Sequence, residues 1–305
     1  MRLPGTAQRP DFGHRYAVRL NKAVCMIDAA PFAPWTLAMA ASHACMSPFH
    51  FHRVFKNIVG ESVRDYVERR RIGHAFIDRR NGNHWKASIL NSGFASQISF
   101  TRAFKRVYGV TPSQWEADES AEGSGKDLVS DPPEGIEFVD RPSSRLAISR
   151  VWGGEANPAH MRAGIARLIV WAQANGLDTS EGKLFGMTLD DPALAPITRR
   201  RHDFALEIPD GVVPGDGLLP GQRGAGKWAT RRVTGTVETI HAAWHQFYHR
   251  WLPQKGSKLR YAPVEEAYLA WSDKGDSIFD VLCCAPIISP NELSMTPDGP
   301  VIAGN

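Results

Sequence analysis

Apolar residues recur at i, i+3, i+4 and i+7 in two stretches of the first third of the chain: Phe51, Val54, Phe55, Ile58 and Phe100, Ala103, Phe104, Val107. That spacing is the stripe of an amphipathic helix facing a core. The two stretches also lie over one another at an offset of 49 residues, with Phe, Arg, Phe, Lys and Gly recurring from Phe51 to Gly60 and from Phe100 to Gly109. Ser47-Pro48 offers an N-cap hydroxyl followed by proline at the first helical position, and Gly60 and Gly109 stand where a left-handed residue ends a helix. Ser62 and Thr111 then cap the helices that follow. Between the copies, Val63 to Asp78 predicts one helix. At 1.5 Å per residue it spans about 24 Å, a spacer able to set two recognition helices in major grooves about one turn apart.

The pattern changes to period two farther along, and it repeats again, at an offset near 82. Ala147, Arg150, Val151 and Gly153 lie over Ala229, Arg232, Val233 and Gly235. Each half predicts a strand (Leu146 to Val151; Trp228 to Val233), a helix (Ala159 to Asn175; Thr236 to Trp251) and two more strands (Leu184 to Leu189 and Asp203 to Ile208; Glu265 to Trp271 and Ile278 to Cys284). The expected fold class is therefore multidomain: an all-α domain of two helix-turn-helix units, then an α+β domain of two pseudo-repeated halves with an antiparallel sheet. Two such halves leave a cleft between them, a natural place for a small ligand.

Composition sets the bounds. A chain of 305 residues with 43% apolar and 22% charged residues is ordinary globular protein of about two domains. No span approaches the roughly 20 apolar residues of a membrane helix, and the opening Met1-Arg2-Leu3-Pro4-Gly5 is not a secretory signal, so the expectation is a cytoplasmic protein without membrane contact. Cys25, Cys45, Cys283 and Cys284 match neither a disulfide framework nor a paired zinc motif. Asp118 to Gly135 is acidic, Gly/Ser-rich and Pro-containing, which reads as a linker between domains at 16–117 and 136–288. Up to Asp118 there are 17 Lys+Arg against 8 Asp+Glu, and beyond it 19 against 24. The basic balance of the first body points to a polyanion partner.

The faces opposite the two apolar stripes sharpen that expectation. Copy one presents Phe49, His52, Arg53, Lys56 and Asn57; copy two presents Gln97, Ile98, Thr101, Arg102, Lys105 and Arg106. There is no carboxylate among them. Gln and Arg make bidentate contacts to base edges, Ile98 suits a thymine methyl, and Lys56 and Lys105 suit phosphates. Double-stranded DNA is the expected partner.

In the second body, Glu265 and Glu266 interrupt an apolar strand, and alternation puts one of them on the face of Tyr268. A carboxylate among aromatics suits a cationic or hydrogen-bond-donating ligand, while an acid facing solvent from an edge strand is the competing reading. Trp171, Trp228 and Trp251 are the candidate aromatic walls, although buried tryptophan is more often plain core. His241, His245 and His249 stand four apart on one helix, but no cysteine or carboxylate completes a metal set there. Without a nucleophile motif, a phosphate loop or a metal cluster, no catalytic residues and no cofactor are assigned.

Met46-Ser47-Pro48-Phe49-His50-Phe51-His52-Arg53-Val54-Phe55-Lys56 with Gly60, and Gly93 to Trp115, resemble the two helix-turn-helix units of AraC/XylS-type transcriptional regulators over about Tyr16 to Ala117. The resemblance implies seven helices, the third and sixth entering the major groove, and base-reading residues at Phe49, His52, Arg53, Gln97, Ile98, Thr101 and Arg102. Ser88-Ile89 departs from the family's Ile-Ala pair and predicts a hydroxyl at a core-facing position. Arg145-Leu146-Ala147 with Gly153, Asp190-Asp191-Pro192, His202-Asp203-Phe204-Ala205, Gly226-Lys227-Trp228-Ala229, Trp251-Leu252-Pro253 and Glu266-Ala267-Tyr268 resemble the GyrI-like effector-binding domain. That likeness implies a small-molecule effector met by Glu266, with Arg199-Arg200-Arg201 making the pocket rim more positive. The function expected is transcription regulation, with RNA polymerase left open as a partner. A protein-docking C-terminal domain is the alternative, and a GyrI-like small-molecule hydrolase the less favoured one.

Overall fold

The computed structural model describes residues 12–115, 135–153, 157–180, 182–188, 190, 200–215, 217–251, 257–270 and 278–288. All but Gly135 of the expected linker, and Arg199, lie outside them. The first body holds α1 (Phe12–Ala29), α2 (Leu37–His43), α3 (Pro48–Val59), α4 (Val63–Arg80), α5 (Trp85–Asn91) and α6 (Gln97–Tyr108), then a helical turn at 112–115.

Helix α4 is the wall shared by both helix-turn-helix units. Its Val63, Tyr66 and Val67 join Leu20, Phe51 and Phe55 in one core. Ile72, Ala75 and Phe76, one to two turns on, join Ile89, Phe100 and Phe104 in a second. The caps are those the sequence marks: Ser47 Oγ accepts from His50 N, Ser62 Oγ from Asp65 N at 3.1 Å, and Gly60 and Gly109 close α3 and α6 with φ of 84° and 81°.

The turns inside the two units also match. Met46 N donates to Ala41 O and Phe94 N to Ile89 O, the same six-residue closure after each first helix. The left-handed residue is Gly93 in the second unit and Cys45, at φ 50°, in the first. Ser88 is fully buried, as its place in the pattern requires, and donates its hydroxyl to the His84 carbonyl one turn back.

The second body is one antiparallel sheet flanked by two helices. Its strands are β1 (Ile136–Arg141), β2 (Ser144–Trp152), β3 (Leu184–Thr188), β4 (Arg201–Ile208), β5 (Leu219–Arg223), β6 (Gly226–Gly235), β7 (Lys258–Leu259), β8 (Val264–Ala270) and β9 (Phe279–Ile288). Helix α7 (Pro158–Ala174) follows β2; α8 (Val237–Gln246) follows β6 and runs on as a π-helical turn, Phe247–Trp251. The order β1-β6-β9-β8-β3-β4-β2-β5, with β7 on β9, shows the duplication. Reading outward from the central β3–β8 pair, each half supplies three strands of its own, and the other half closes the edge: β1, which precedes β2, lies beside β6, and β5, which precedes β6, lies beside β2.

Alternation sorts the side chains onto two faces. On one, Ala147, Phe204 and Leu206 pack on Ile165, Leu168 and Trp171 of α7, while Ala229, Val281 and Ala285 pack on Ile240 and Trp244 of α8. Tyr268 touches both clusters. The opposite face carries Leu146, Phe185, Ala205 and Ala267. There Arg141, from the β1 edge, reaches Glu265 at 2.7 Å, and Arg223, from the β5 edge, reaches it at 3.3 Å. Edge strands β1, β5 and β7 were not expected from the sequence. β5 is broken by Pro220 and Gly221 and β7 has two residues, so period-two alternation barely registers in either, while in β1 the alternation of apolar and polar residues breaks after Phe138. No helix among the described residues is long and apolar enough to cross a membrane.

Candidate nucleic-acid interface and ligand cleft

Helices α3 and α6 carry the residues assigned to DNA. Phe51, Phe55 and Val59 anchor α3, and Phe100, Ala103, Phe104 and Val107 anchor α6, which turns the remaining side chains outward. Phe49 is 73% exposed and Ile98 65%, values that leave two large apolar groups unpaid for by any core. Arg53, Lys56, Gln97, Arg102 and Lys105 are exposed, while His52 and Thr101 are half-buried. The Arg53 guanidinium lies over the Phe49 ring at 5.9 Å, an i,i+4 stack that pre-sets the arginine. Arg106 is different: it turns back to Asp65 at 2.9 Å and to Glu68 on α4, and so braces α6 against the spacer.

The basic balance of this body also proves partly internal. Arg69 and Arg70, on α4, are buried against the second body, where they meet Asp190. Neither is free for phosphates, although the sequence offers no way to tell them from Arg64, which is exposed.

The residues expected to line a cleft lie on the helix face, at the joint of the two halves. Gly186 of β3 pairs with Glu266 of β8 there. A Cβ on Gly186 would sit 2.5 Å from the Tyr268 hydroxyl and 2.6 Å from His202 Nε2, so only glycine lets these groups close over the strand. Tyr268 and His202 are 3.4 Å apart. Burial, and then the Glu266 carboxylate, push the Tyr268 phenol well above its usual range.

Glu266 is half-buried, and its Oε1 accepts a hydrogen bond from Trp244 Nε1 at 2.7 Å. Trp244 was not among the expected tryptophans. Trp171 and Trp251, both expected, are buried in the cores under α7 and α8. Trp228 lies on the face away from the helices, between the guanidiniums of Arg141 and Arg260 at 5.0 and 5.8 Å. The structure therefore brings Glu266 and Tyr268 together with Trp244 and His202 and leaves Trp171, Trp228 and Trp251 elsewhere. The Tyr248 ring, one turn on, stacks on Trp244, but nothing in the sequence singles this tryptophan out from the others.

Arg201 does not form a pocket rim. It is buried, paired with Asp28 of α1 and with Asp203, because β4 alternation turns residue 201 away from the cleft and toward the first body. Cys283 and Cys284 point to opposite faces of β9, and burial pushes both thiols up, that of Cys284 to about 12, as expected of inert core residues. Among the described residues no group of His, Cys, Asp and Glu is placed to hold a metal.

Residues 40–118 match the model of a helix-turn-helix domain, and residues 134–276 that of a GyrI-like small molecule binding domain. The chain joins an AraC-type helix-turn-helix domain to a GyrI-like domain. It is similar to YgiV of Escherichia coli K12, a probable transcriptional regulator, with 27% identity over 42% of this chain and 80% of YgiV. It is also similar to the transcriptional activator AarP of Providencia stuartii, at 35% identity over 26% of this chain and 60% of AarP. A weaker likeness, of chain path alone, links it to EcmrR in its complex with DNA, with a TM-score of 0.42, 10% identity, and coverage of 81% of this chain and 84% of that one. An AraC-type reader followed by a GyrI-like domain makes the protein a DNA-binding transcriptional regulator.

Proposed function

We propose that this regulator reads an asymmetric DNA site through α3 and α6 and that a small aromatic or cationic molecule, bound at Glu266 and Tyr268, alters that reading. The observation that carries this is the pair of outward helix faces: Phe49, Arg53 and Lys56 on one, Gln97, Ile98, Arg102 and Lys105 on the other, with the second body docked on a different side of the chain. Two unlike faces in one chain read two unlike half-sites, hence the asymmetry. Domain bounds at 16–117 and 136–288 suit this reading, as do a cytoplasmic location and RNA polymerase as a further partner. We read the chain as a regulator and not as an enzyme: the thiol across the β8–β9 pair from Glu266, Cys283, is buried and pushed far up, which leaves it a poor nucleophile.

Selection of random duplexes at fixed salt, followed by sequencing of those retained, tests the reading. Enrichment of an asymmetric motif with two blocks about one helical turn apart is the expected result. Retention without enrichment removes base reading and leaves phosphate contact alone.

The Trp244–Glu266 hydrogen bond favours a second reading, in which the C-terminal domain docks a protein and takes no ligand. Titration with an aromatic cation such as tetraphenylphosphonium, followed by tryptophan fluorescence, separates the two. Saturable quenching that is lost in Glu266→Gln supports the ligand.

A further inference from the structure

The two bodies meet through buried ions. On the first body these are Asp28 of α1, Glu61, and Arg69 and Arg70 of α4; on the second they are Arg150 of β2, Asp190, and Arg201 and Asp203 of β4. The cross pairs are Arg69 and Arg70 with Asp190 and Arg201 with Asp28.

Most of these ions also hold a partner within their own body. Arg69 keeps Glu61 at 2.8 Å, Arg70 keeps Asp28 at 3.4 Å, and Arg150 and Arg201 both keep Asp203, at 2.8 and 3.4 Å. Each set of four is neutral by itself. A shift of one body against the other therefore strands few charges, which a buried apolar joint of the same size would not permit without exposing its core.

Asp190 is the exception. Among the described residues, both guanidiniums on its carboxylate belong to α4, and from its own body it accepts the Arg201 backbone N–H, at 3.1 Å, and no side-chain donor. Burial by itself would raise this carboxyl; Arg69, Arg70 and Arg201 overcome that and hold it well below the ordinary carboxylate range. Asp190 also lies two residues beyond β3, the strand whose Gly186 floors the cleft. On β4, alternation sends Arg201 and Asp203 to the first body and His202 between them to the cleft, 3.4 Å from the Tyr268 hydroxyl.

We propose that Asp190 is a positioning residue: gripping Arg69 and Arg70, it sets where the spacer helix α4 stands against β3 and β4, and so couples the cleft at Tyr268 and His202 to the placement of the two recognition helices. This rests on the proposed function, since it assigns the route by which the ligand site and the DNA face sense one another. Coupling of this kind is reciprocal, so DNA alone must alter the cleft strands.

Hydrogen exchange on the full chain, with and without the duplex enriched in the selection, tests the route. In the unaltered protein the duplex is expected to change the exchange rates of β3, β4 and β8 amides severalfold. Asp190→Glu, which keeps the charge, retains the change. Asp190→Asn, still bound to the duplex, loses it. Arg201→Lys, unable to hold Asp28 and Asp203 together, is the second variant should Asp190→Asn fail to fold, and it too is expected to lose the change. Unaltered exchange in β3 and β4 of the DNA-bound protein, or an equal change in Asp190→Asn or Arg201→Lys, overturns the coupling while DNA reading stands. Absence of duplex binding by the unaltered protein overturns the functional reading itself, and the coupling with it.

Discussion

Trp244 donates its indole N–H to Glu266 at 2.7 Å, so the carboxylate that a ligand would meet already has a partner from the helix that covers it. A ligand must displace this bond or share the carboxylate. Trp244→Phe removes the donor and keeps most of the ring. It is expected to tighten binding of tetraphenylphosphonium, while Glu266→Gln weakens it roughly tenfold, the scale of losing a partly desolvated cation contact. Fluorescence titration of both variants checks this, and equal affinities across all three proteins would remove Glu266 from the site.

Arg102 and Lys105 lie one turn apart on α6, and both are exposed. Arg102→Ala is expected to cost about 1–3 kcal/mol on the selected site and little on random DNA. Lys105→Ala should weaken both alike and shallow the plot of log affinity against log salt by about 0.9. Equal loss on specific and random DNA for Arg102→Ala would reassign it to phosphate.

Cys45 occupies the left-handed position that Gly93 holds in the second unit. Cys45→Gly relieves that strain and is expected to raise stability by about 1 kcal/mol, measured as a rise in denaturation midpoint. Gly109→Ala, at φ 81°, should lower it by a similar amount.

Arg141 and Arg223 come from the two outermost strands and share the Glu265 carboxylate across the sheet face away from the helices. Glu265→Gln leaves the exposed Glu207 carboxylate as the remaining anion of both guanidiniums and is expected to destabilise by about 1–3 kcal/mol. Adding Arg141→Leu and Arg223→Leu should restore much of that. A single variant as stable as the original protein would mean that the bridge contributes nothing.

Asp28, Asp190 and Asp203 are all held below the ordinary carboxylate range: burial opposes this, and neighbouring guanidiniums win. Carboxyls with depressed folded values stabilise fully above the unfolded value of about 3.9, and the stability is lost as pH falls through the folded values. The melting temperature should therefore drop as pH is lowered from about 5 toward 3, and Asp190→Asn should show a shallower drop, since it releases one fewer proton-linked group. An identical slope in the two proteins would show that Asp190 is not coupled to folding.

The helix-turn-helix repeat was legible because its signals are local. Stripe, N-cap and C′ glycine all fall within a few residues of one another, so Phe51 and Phe100, Ser47 and Ser62, and Gly60 and Gly109 could be assigned from spacing alone. The duplicated strand-helix-strand-strand order came from periodicity in the same way, as did the placing of one of Glu265 and Glu266 on the face of Tyr268; it was the GyrI-like resemblance that pointed to Glu266. Which tryptophan meets Glu266 did not, because Trp171, Trp228, Trp244 and Trp251 look alike as sequence and differ only in which face and which core receives them.

By itself the sequence determined two repeats, their helices and strands, and the outward residues of α3 and α6, since short-range sterics and hydrophobic periodicity decide those features. Only the tertiary structure decided that Arg69, Arg70 and Arg201 are buried partners of Asp190 and Asp28 and not surface cations. Charge is visible in a sequence, but its partner lies some 120 residues away for Arg69 and Arg70 and 173 for Arg201, and long-range pairing is set by how the domains dock.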